Sequence, residues 1–411
     1  MAVRQQALTI VAAVKEASRA DLAARLDAVA DSVIDALTHV PSLHFARFVL
    51  IQCTPGDQTG ALRLAFESNH DGEVADHLTE VARALAPFEK DLFESWEGYE
   101  TGELVAFAAS RPLTASTFYL GHPGLSVAQI HNDRTLRVRL GALLDEEAAG
   151  GRVVGSTAVD LRARLVARLA NEPALVTGPV DRGFPAQPWS KLFFYGGVVP
   201  IIVVLAIVFL PIALALELWD RHHEPAPKLV KEDDVRLERI NAKEDAISQN
   251  GLTHYVALRP GPIRKLMLTL VLWFLERARH NIAYEGTLGG ISSIHFARWV
   301  LLEDDTVLFF SNYDGSWEAY LGDFVDKAHF YLSAVWGNTK WFPPTTALIL
   351  GGAAKESSFK QWTRTCQVEN QIWYSAYKDL TVSDVQRNVD LREGARGPMN
   401  EAQAQEWLAL L

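Results

Sequence analysis

Residues 43–51 read LHFARFVLI and residues 294–302 read IHFARWVLL, so His-Phe-Ala-Arg recurs in the same apolar frame. The alternation of side chains along both stretches predicts a β-strand at each place. Such a recurrence indicates an internal repeat, and an internal repeat determines the architecture of the whole fold.

Three further blocks recur in the same order. Ser-Asn-x-Asp-Gly is common to one pair, and GLSVAQIHNDRTLR aligns without a gap to DLTVSDVQRNVDLR in another. These matches predict a chain built by duplication of a unit of roughly 140 residues, interrupted by other sequence. The first members lie at residues 8–15, 64–72 and 124–137, and their counterparts at residues 252–259, 308–315 and 379–392.

Both repeats predict the same order of elements. A short β-run precedes apolar residues at helical spacing, and two alternating runs then form a hairpin. An amphipathic helix follows the Asp-Gly pair, and a final strand precedes the Leu-Ser-Val or Leu-Thr-Val helix. The order βαββαβ is that of a ferredoxin-like unit, so the predicted fold class is α+β. Each antiparallel sheet would have helices on one face only, and two repeats can cover each other.

This element order and the duplication resemble the dimeric α+β barrel superfamily, in which two ferredoxin-like units close their sheets against each other. Fused members of that superfamily include dye-decolorizing peroxidases and chlorite-dismutase-like haem proteins. The resemblance covers residues 7–142 and 252–395. It implies a pseudo-dimeric α+β barrel, and it is specific for the fold rather than for a function.

A membrane segment interrupts the duplication. Residues 192–216 read LFFYGGVVPIIVVLAIVFLPIALAL without one charge, which exceeds the roughly 20 residues that a helix needs to cross a bilayer. Trp189 and Leu192 mark its start and Trp219 follows its end, as expected of interfacial anchors. The pattern favours membrane lipid as a partner, with a buried core helix as the alternative. The flanking basic residues are nearly balanced, so they leave the orientation open.

A single crossing would place the two repeats on opposite sides of the membrane. Their sheets could then pair only between chains, in a homo-oligomer. We favour a segment that enters from one side, with the two repeats paired within one chain. Residues 266–275 (LMLTLVLWFL, with Trp273) are too short to span a bilayer and have basic flanks, so they predict a second interfacial contact or a core helix.

The predicted organisation has five parts, with a basic amphipathic stretch around Arg164 and Arg168 in the first linker. They are a ferredoxin-like repeat at residues 1–145, a linker at 146–188, the membrane segment at 189–220, a charged linker at 221–250, and a second repeat with a C-terminal helix at 251–411.

The candidate catalytic residues lie in the second repeat. His295 and Arg298 share one strand, and Asp314 ends the next. An arginine among apolar residues is costly to bury unless it meets an anionic ligand or an acidic partner, such as the Asp of the Asn-x-Asp-Gly turn. An Asp-Gly pair also suits a helix N-cap and a sharp turn. A stability role is favoured over a catalytic one, because Arg47 and Asp71 repeat the pattern in the first unit.

The family resemblance implies haem as a cofactor. Dye-decolorizing peroxidases carry a Gly-x-x-Asp-Gly motif whose Asp serves peroxide cleavage, and residues 311–315 (SNYDG) are similar to it at the last two positions only. The first glycine is missing. An axial ligand would most often be a histidine, for which His254 and His329 are the candidates. No Cys/His spacing predicts a metal site.

Composition excludes some classes of protein. The 411-residue chain has a net charge of −11 and no Lys/Arg cluster, which disfavours a nucleic-acid partner. Cys53 and Cys366 lie too far apart in sequence for a disulfide scaffold, as expected in a reducing compartment, so we expect the soluble units in the cytoplasm.

Three functions remain after these exclusions. The leading hypothesis is a membrane-attached barrel that binds or acts on an apolar or lipid-derived small molecule at the bilayer surface. One alternative is a haem-dependent, peroxidase-like oxidoreductase, and the other is a non-catalytic membrane scaffold. The sequence does not decide whether the protein is an enzyme.

Overall fold

The computed structural model describes residues 3–51, 62–111, 113, 115–178, 188–223, 235–279 and 290–411. The hairpin turn predicted at residues 53–60, with Cys53, and part of the charged linker lie outside the described residues.

The protein is a mixed α+β fold. The strands are β1 (Gln5–Ala13), β2 (Leu43–Ile51), β3 (Arg63–Asp71), β4 (Thr117–Leu120), β5 (Gln249–Ala257), β6 (Ile294–Leu301), β7 (Thr306–Asp314), β8 (Thr345–Thr346), β9 (Leu350–Gly351) and β10 (Asn370–Ser375). The helices are α1 (Leu22–Leu37), α2 (Val74–Leu85), α3 (Leu104–Ala109), α4 (Val127–Ala149), α5 (Ala158–Arg168), α6 (Pro173–Val176), α7 (Pro188–Phe193), α8 (Val199–His223), α9 (Val235–Lys243), α10 (Pro262–Arg279), α11 (Trp317–Lys327), α12 (His329–Trp336), α13 (Glu356–Cys366), α14 (Val382–Gly394) and α15 (Glu401–Leu408).

Two four-stranded antiparallel sheets form the centre of the fold, in the orders β1-β3-β2-β10 and β4-β6-β7-β5. In the first sheet β3 lies between β1 and β2, so these two strands run parallel and α1 connects them. In the second sheet β7 lies between β5 and β6 in the same way, with α10 as the connection. In both sheets, a strand thus lies between two parallel strands that a helix connects.

The fourth strand of each repeat lies in the sheet of the other repeat. β10 pairs with β2, where Trp373 lies opposite Arg47, and β4 pairs with β6, where Phe118 lies opposite Arg298. The prediction that each repeat closes its own sheet is wrong. Periodicity specifies which residues share a face of a strand, but it does not specify which edge the strand joins.

The two sheets pack face to face. Val49 and Ala65 of the first sheet meet Val300 and Leu308 of the second in one apolar cluster. Helices α1 and α2 cover the outer face of the first sheet, and α10 to α13 cover the outer face of the second. The layers therefore follow the order helix, sheet, sheet, helix.

The described residues 146–178 of the predicted first linker form packed helices. They contain α5, whose Leu165 is buried in a cluster with α4, α14 and α15. Arg164 of the basic stretch pairs with the buried Glu147 of α4, whereas Arg168 pairs with the exposed Glu146. The apolar face of α5 thus packs against neighbouring helices, and its basic residues pair with carboxylates of α4.

One helix among the described residues is long and apolar enough to cross a membrane, judged by length and composition alone. It spans Lys191–His223, 33 residues whose most apolar window has a mean hydropathy of 3.1 and is 12% buried. A π-helical turn at Phe194–Val198 separates α7 from α8, and α8 continues through Pro211. Many apolar side chains of α8 are exposed, including Ile201, Val203, Val204, Ile207, Val208 and Leu210.

Candidate functional site

Two of the three predicted catalytic residues lie together. His295 Nε2 is 2.7 Å from Asp314 Oδ1. Asp314 Oδ2 accepts a hydrogen bond of 2.6 Å from the backbone N–H of Val382, the first residue of α14. The Asp314 carboxylate therefore connects the end of β7 both to an imidazole and to the start of a distant helix.

The first repeat contains the same connection. His44 Nε2 lies 3.0 Å from Asp71 Oδ1, and Asp71 Oδ2 accepts from the Val127 N–H at the start of α4. The prediction that each Asp caps the next helix is wrong, since Ser316 caps α11. Gly315, at φ 78°, turns the chain between Asp314 and Ser316, so that the serine stands next to the first helical turn.

A shift in strand register falls at each of these histidines. In β2 it falls between Leu43 and Phe45, and an equivalent shift occurs in β6. Strict alternation predicts that His44 shares a face with Ala46. His44 instead contacts Phe296 of the other sheet, with ring centroids 5.1 Å apart. A β-bulge redirects a side chain in this way, so the histidines point between the sheets.

The second ring nitrogen of each histidine meets a different environment. His44 Nδ1 lies 3.0 Å from the Tyr377 hydroxyl, whereas His295 faces the ring of His122 at 5.9 Å between centroids. Among the described residues, His295 Nδ1 and His122 Nε2 have no hydrogen-bond partner. Burial keeps the pKa of His122 well below its ordinary value. His295 is 0% exposed, and its contact with Asp314 connects β6 to β7 and to the start of α14. A catalytic role for His295 and Asp314 stays a prediction.

Arg298 takes part in a different cluster, between the sheets. Its Nη2 lies 2.6 Å from Glu67 Oε1, and Arg47 Nε lies 2.8 Å from Glu67 Oε2. Burial lowers the pKa of Arg298 to about 10, and the charge of Glu67 opposes that shift. The sequence predicted an acidic partner such as the turn aspartate, but Asp71 pairs with His44. Glu67 is the partner of both arginines, which supports a stability role.

The proposed haem ligands do not share a site. His254 is buried among aromatic rings, with Trp362 at 5.4 Å between centroids, and burial lowers its pKa to about 3. His329 Nδ1 donates to the Val325 carbonyl at 2.8 Å. Neither histidine is among the residues that line the apolar groove described below. Haem binding stays a prediction from the family resemblance.

An apolar groove of about 600 Å³ lies between α8 and the helices α10 and α12, within the range of small-molecule sites. None of its lining residues is charged, and Tyr331 alone among them has a polar side-chain group. The walls consist of Val203, Leu205, Ile207, Phe209, Leu210 and Ala213 from α8, Met267, Leu270, Val271, Phe274 and Leu275 from α10, Phe330, Tyr331 and Ala334 from α12, and the loop residues Ala347, Leu348 and Ile349.

The apolar segment Lys191–His223 packs against the second repeat at both of its ends. Phe194 stacks near Phe274 at 6.1 Å between centroids and packs with Ala278. At the other end Asp220 pairs with the buried Arg264. Since the start of the segment meets the end of α10 and its end meets the start of α10, the two helices lie antiparallel and side by side.

The predicted membrane residues divide into two groups. Trp189, Leu192 and Trp219 are 77%, 64% and 63% exposed. Trp273 of α10 is half-buried and packs in the cluster that contains Phe194. One face of α10 belongs to the core of the second repeat, in agreement with the core-helix interpretation, and another face lines the groove. The interfacial contact of α10 stays a prediction.

Sequence reasoning missed the wall that α12 contributes. Phe330 and Tyr331 are about half exposed on a short apolar helix, and two adjacent exposed aromatic residues would have been the signal. It also missed Glu217, a buried carboxylate directly after the uncharged run. A lone acid at the end of such a run needs hydrogen-bond donors, which is a detectable signal.

Comparison with protein-family models, with curated proteins and with solved structures finds no match for this chain. Within the described ranges, no group of three or more His, Cys, Asp or Glu side chains could hold a metal ion. The groove and the exposed helix α8 are therefore the features from which a function is inferred.

Proposed function

We propose that this protein attaches to one side of a membrane through α8 and binds the acyl chain of a lipid-derived molecule in the groove between α8, α10 and α12. One observation carries this proposal, namely that the groove and the exposed face of α8 share residues. Val203, Ile207 and Leu210 line the groove and are 53%, 69% and 46% exposed. A chain in the surrounding lipid can therefore enter the groove sideways without crossing water.

The exposed face of α8 is chemically suited to lipid. Monomeric soluble proteins rarely expose a contiguous apolar patch of this kind, and such patches mark interaction sites. Insertion of this face into a leaflet gains about 25 cal/mol for each Å² of apolar surface removed from water. Trp189 and Trp219 at the two ends of the segment favour the interface between headgroups and acyl chains.

The docking of α8 supports attachment from one side. A helix that crossed the bilayer would carry α10 with it, and α10 is packed in the core of the second repeat. The exchange of β4 and β10 within one chain also keeps the two repeats on the same side. These two features support an orientation of α8 along the membrane surface. The cytoplasmic location of the soluble part stays a prediction.

We infer in addition that the paired sheets form a duplicated α+β barrel related to the dimeric α+β barrel superfamily, with exchanged fourth strands. The split βαβ arrangement in both repeats and the face-to-face packing of the sheets support this relationship. The lining of the groove supports binding rather than catalysis, since Tyr331 is its single titratable residue.

The proposal is tested with a fluorescent fatty acid and with lipid vesicles. Ala334→Trp fills the groove from α12, and we expect it to weaken fatty-acid binding by about tenfold or more. Attachment to vesicles should remain unchanged, because the outer face of α8 is not altered. Ala319→Trp places the same side chain on the exposed face of α11 and serves as the matched control.

Equal fatty-acid binding by the two variants and the wild-type protein would show that the groove is not the site. Attachment to vesicles by a wild-type protein that binds no fatty acid would instead favour the non-catalytic scaffold.

A further inference from the structure

The loop that closes one end of the groove has a backbone conformation that requires external support. Ala347 and Leu348 have φ angles of 57° and 64°, two consecutive residues with side chains in the left-handed region. This region is costly for residues other than glycine, and it persists where surrounding contacts hold it. The contacts around this loop therefore show what maintains its shape.

The support comes from α8. Glu217 Oε2 accepts from the Ala347 N–H at 2.9 Å, and Glu217 Oε1 accepts from the Leu348 N–H at 2.7 Å and from Thr345 Oγ1 at 2.5 Å. The Glu217 side chain is buried, and Arg221, one turn further on, donates to the Thr345 carbonyl at 2.7 Å. A single carboxylate thus binds the N–H groups of both left-handed residues.

The supported loop forms the end wall of the groove. Leu348 packs against Ala213 of α8 and Met267 of α10. Ala213 is the last residue of α8 that lines the groove, and Met267 is the first residue of α10 that does so. The Leu348 side chain therefore stands where the two helical walls end, and it limits how far a bound chain can extend.

We propose that Glu217 is a positioning residue that holds Leu348 in place and thereby sets the maximum length of the acyl chain that the groove accepts. The inference rests on the proposed function. Glu217 is then the residue through which the docking of α8 determines the shape of the groove.

The test measures how affinity depends on chain length. Saturated fatty acids of increasing length compete with a fluorescent fatty acid for the full-length protein in detergent. For the wild-type protein we expect affinity to rise with length up to a limit, and then to fall about tenfold for the next longer chains. Glu217→Gln replaces one acceptor oxygen by an NH₂ group that cannot accept from a backbone N–H, so the limit should disappear.

Two further variants separate positioning from folding. Ala347→Gly in the Glu217→Gln background should restore the limit, because glycine adopts a positive φ without strain. Leu348→Ala in the wild-type background keeps Glu217 and shortens the wall, so the limit should move to longer chains. Glu238→Gln, at an exposed position of α9, makes the same change of charge and should match the wild-type protein.

The outcomes distinguish the two proposals. Absence of fatty-acid binding by the wild-type protein contradicts the proposed function itself. A wild-type length limit that Glu217→Gln retains and Leu348→Ala shifts overturns the role of Glu217 alone. A limit that both variants retain also overturns Leu348 as the end wall.

Discussion

The two repeats build the same ring stack from different residues. In the first repeat His70 and His77 stack with centroids 3.9 Å apart and planes 3° from parallel. At the equivalent positions of the second repeat, Tyr313 and Tyr320 stack at 3.9 Å and 13°. The backbone geometry thus specifies a pair of flat rings, whereas their ability to bind protons differs. Burial lowers the pKa of His70 to about 2 and that of His77 to about 3, and it raises the pKa of both tyrosines.

A second difference concerns the charge between the sheets. Glu67 in the first repeat corresponds to Phe310 in the second. The Phe310 ring lies 5.5 Å from the guanidinium carbon of Arg47 and 5.5 Å from that of Arg298. Two buried arginines therefore share one carboxylate and one aromatic ring, so loss of the carboxylate should cost far more than loss of the ring.

The largest effect is expected for Glu67→Ala. The change leaves Arg47 and Arg298 buried without a counter-charge, and we expect the free energy of unfolding to fall by about 3 to 5 kcal/mol. Phe310→Leu removes the ring at the equivalent position and should cost about 1 kcal/mol. Urea denaturation of both variants measures how much the free energy of unfolding falls in each. Equal losses would contradict the expectation that the Glu67 carboxylate contributes more than the Phe310 ring.

The histidine stack should make the protein sensitive to acid. The folded histidines stay neutral to about pH 3, whereas histidines of the unfolded chain bind protons below about pH 6.5. Their contribution to stability is therefore complete above pH 6.5 and is lost as the pH falls toward 3. At pH 5 the loss should be about 2 kcal/mol for each histidine.

The double variant His70→Tyr/His77→Tyr gives the first repeat the tyrosine pair of the second, and it should remove this part of the acid dependence. Urea denaturation at a series of pH values provides the comparison with the wild-type protein. An unchanged slope below pH 6.5 would assign the acid sensitivity to other groups.

The smallest loss of stability is expected for the histidine–aspartate connection, which both repeats contain. Asp71→Asn and Asp314→Asn each weaken one connection between a histidine and a helix start, at a cost of about 1 kcal/mol. Thermal melts should give similar losses for the two variants. A catalytic role for His295 and Asp314 predicts instead normal melting of Asp314→Asn with loss of activity confined to the second repeat.

Side-chain periodicity predicted the helices and strands well, because interactions between residues close in sequence form these elements. The repeated blocks placed β1, β2 and β3 and their counterparts, and the Ser-Val and Thr-Val segments begin α4 and α14 where expected. The exchange of β4 and β10 was not predictable, because either sheet edge satisfies the same alternation.

Contacts between distant residues were harder to predict. Asp314 reaches Val382 rather than the helix beside it, since a glycine turn separates it from that helix. The groove depends on α8, α10 and α12 meeting in space. The sequence showed α8 and α10 only as apolar runs, and it gave no prediction for α12.

The exchange of the fourth strands has a consequence for synthesis of the chain. The edge of β2 has no partner until β10 leaves the ribosome, about 320 residues later. At about 5 to 20 residues per second, this interval lasts tens of seconds. The apolar α8 emerges within it, before either sheet is complete. A nascent chain therefore exposes the apolar helix α8 while β2 is still an open edge, and early contact with a chaperone would shield both from aggregation.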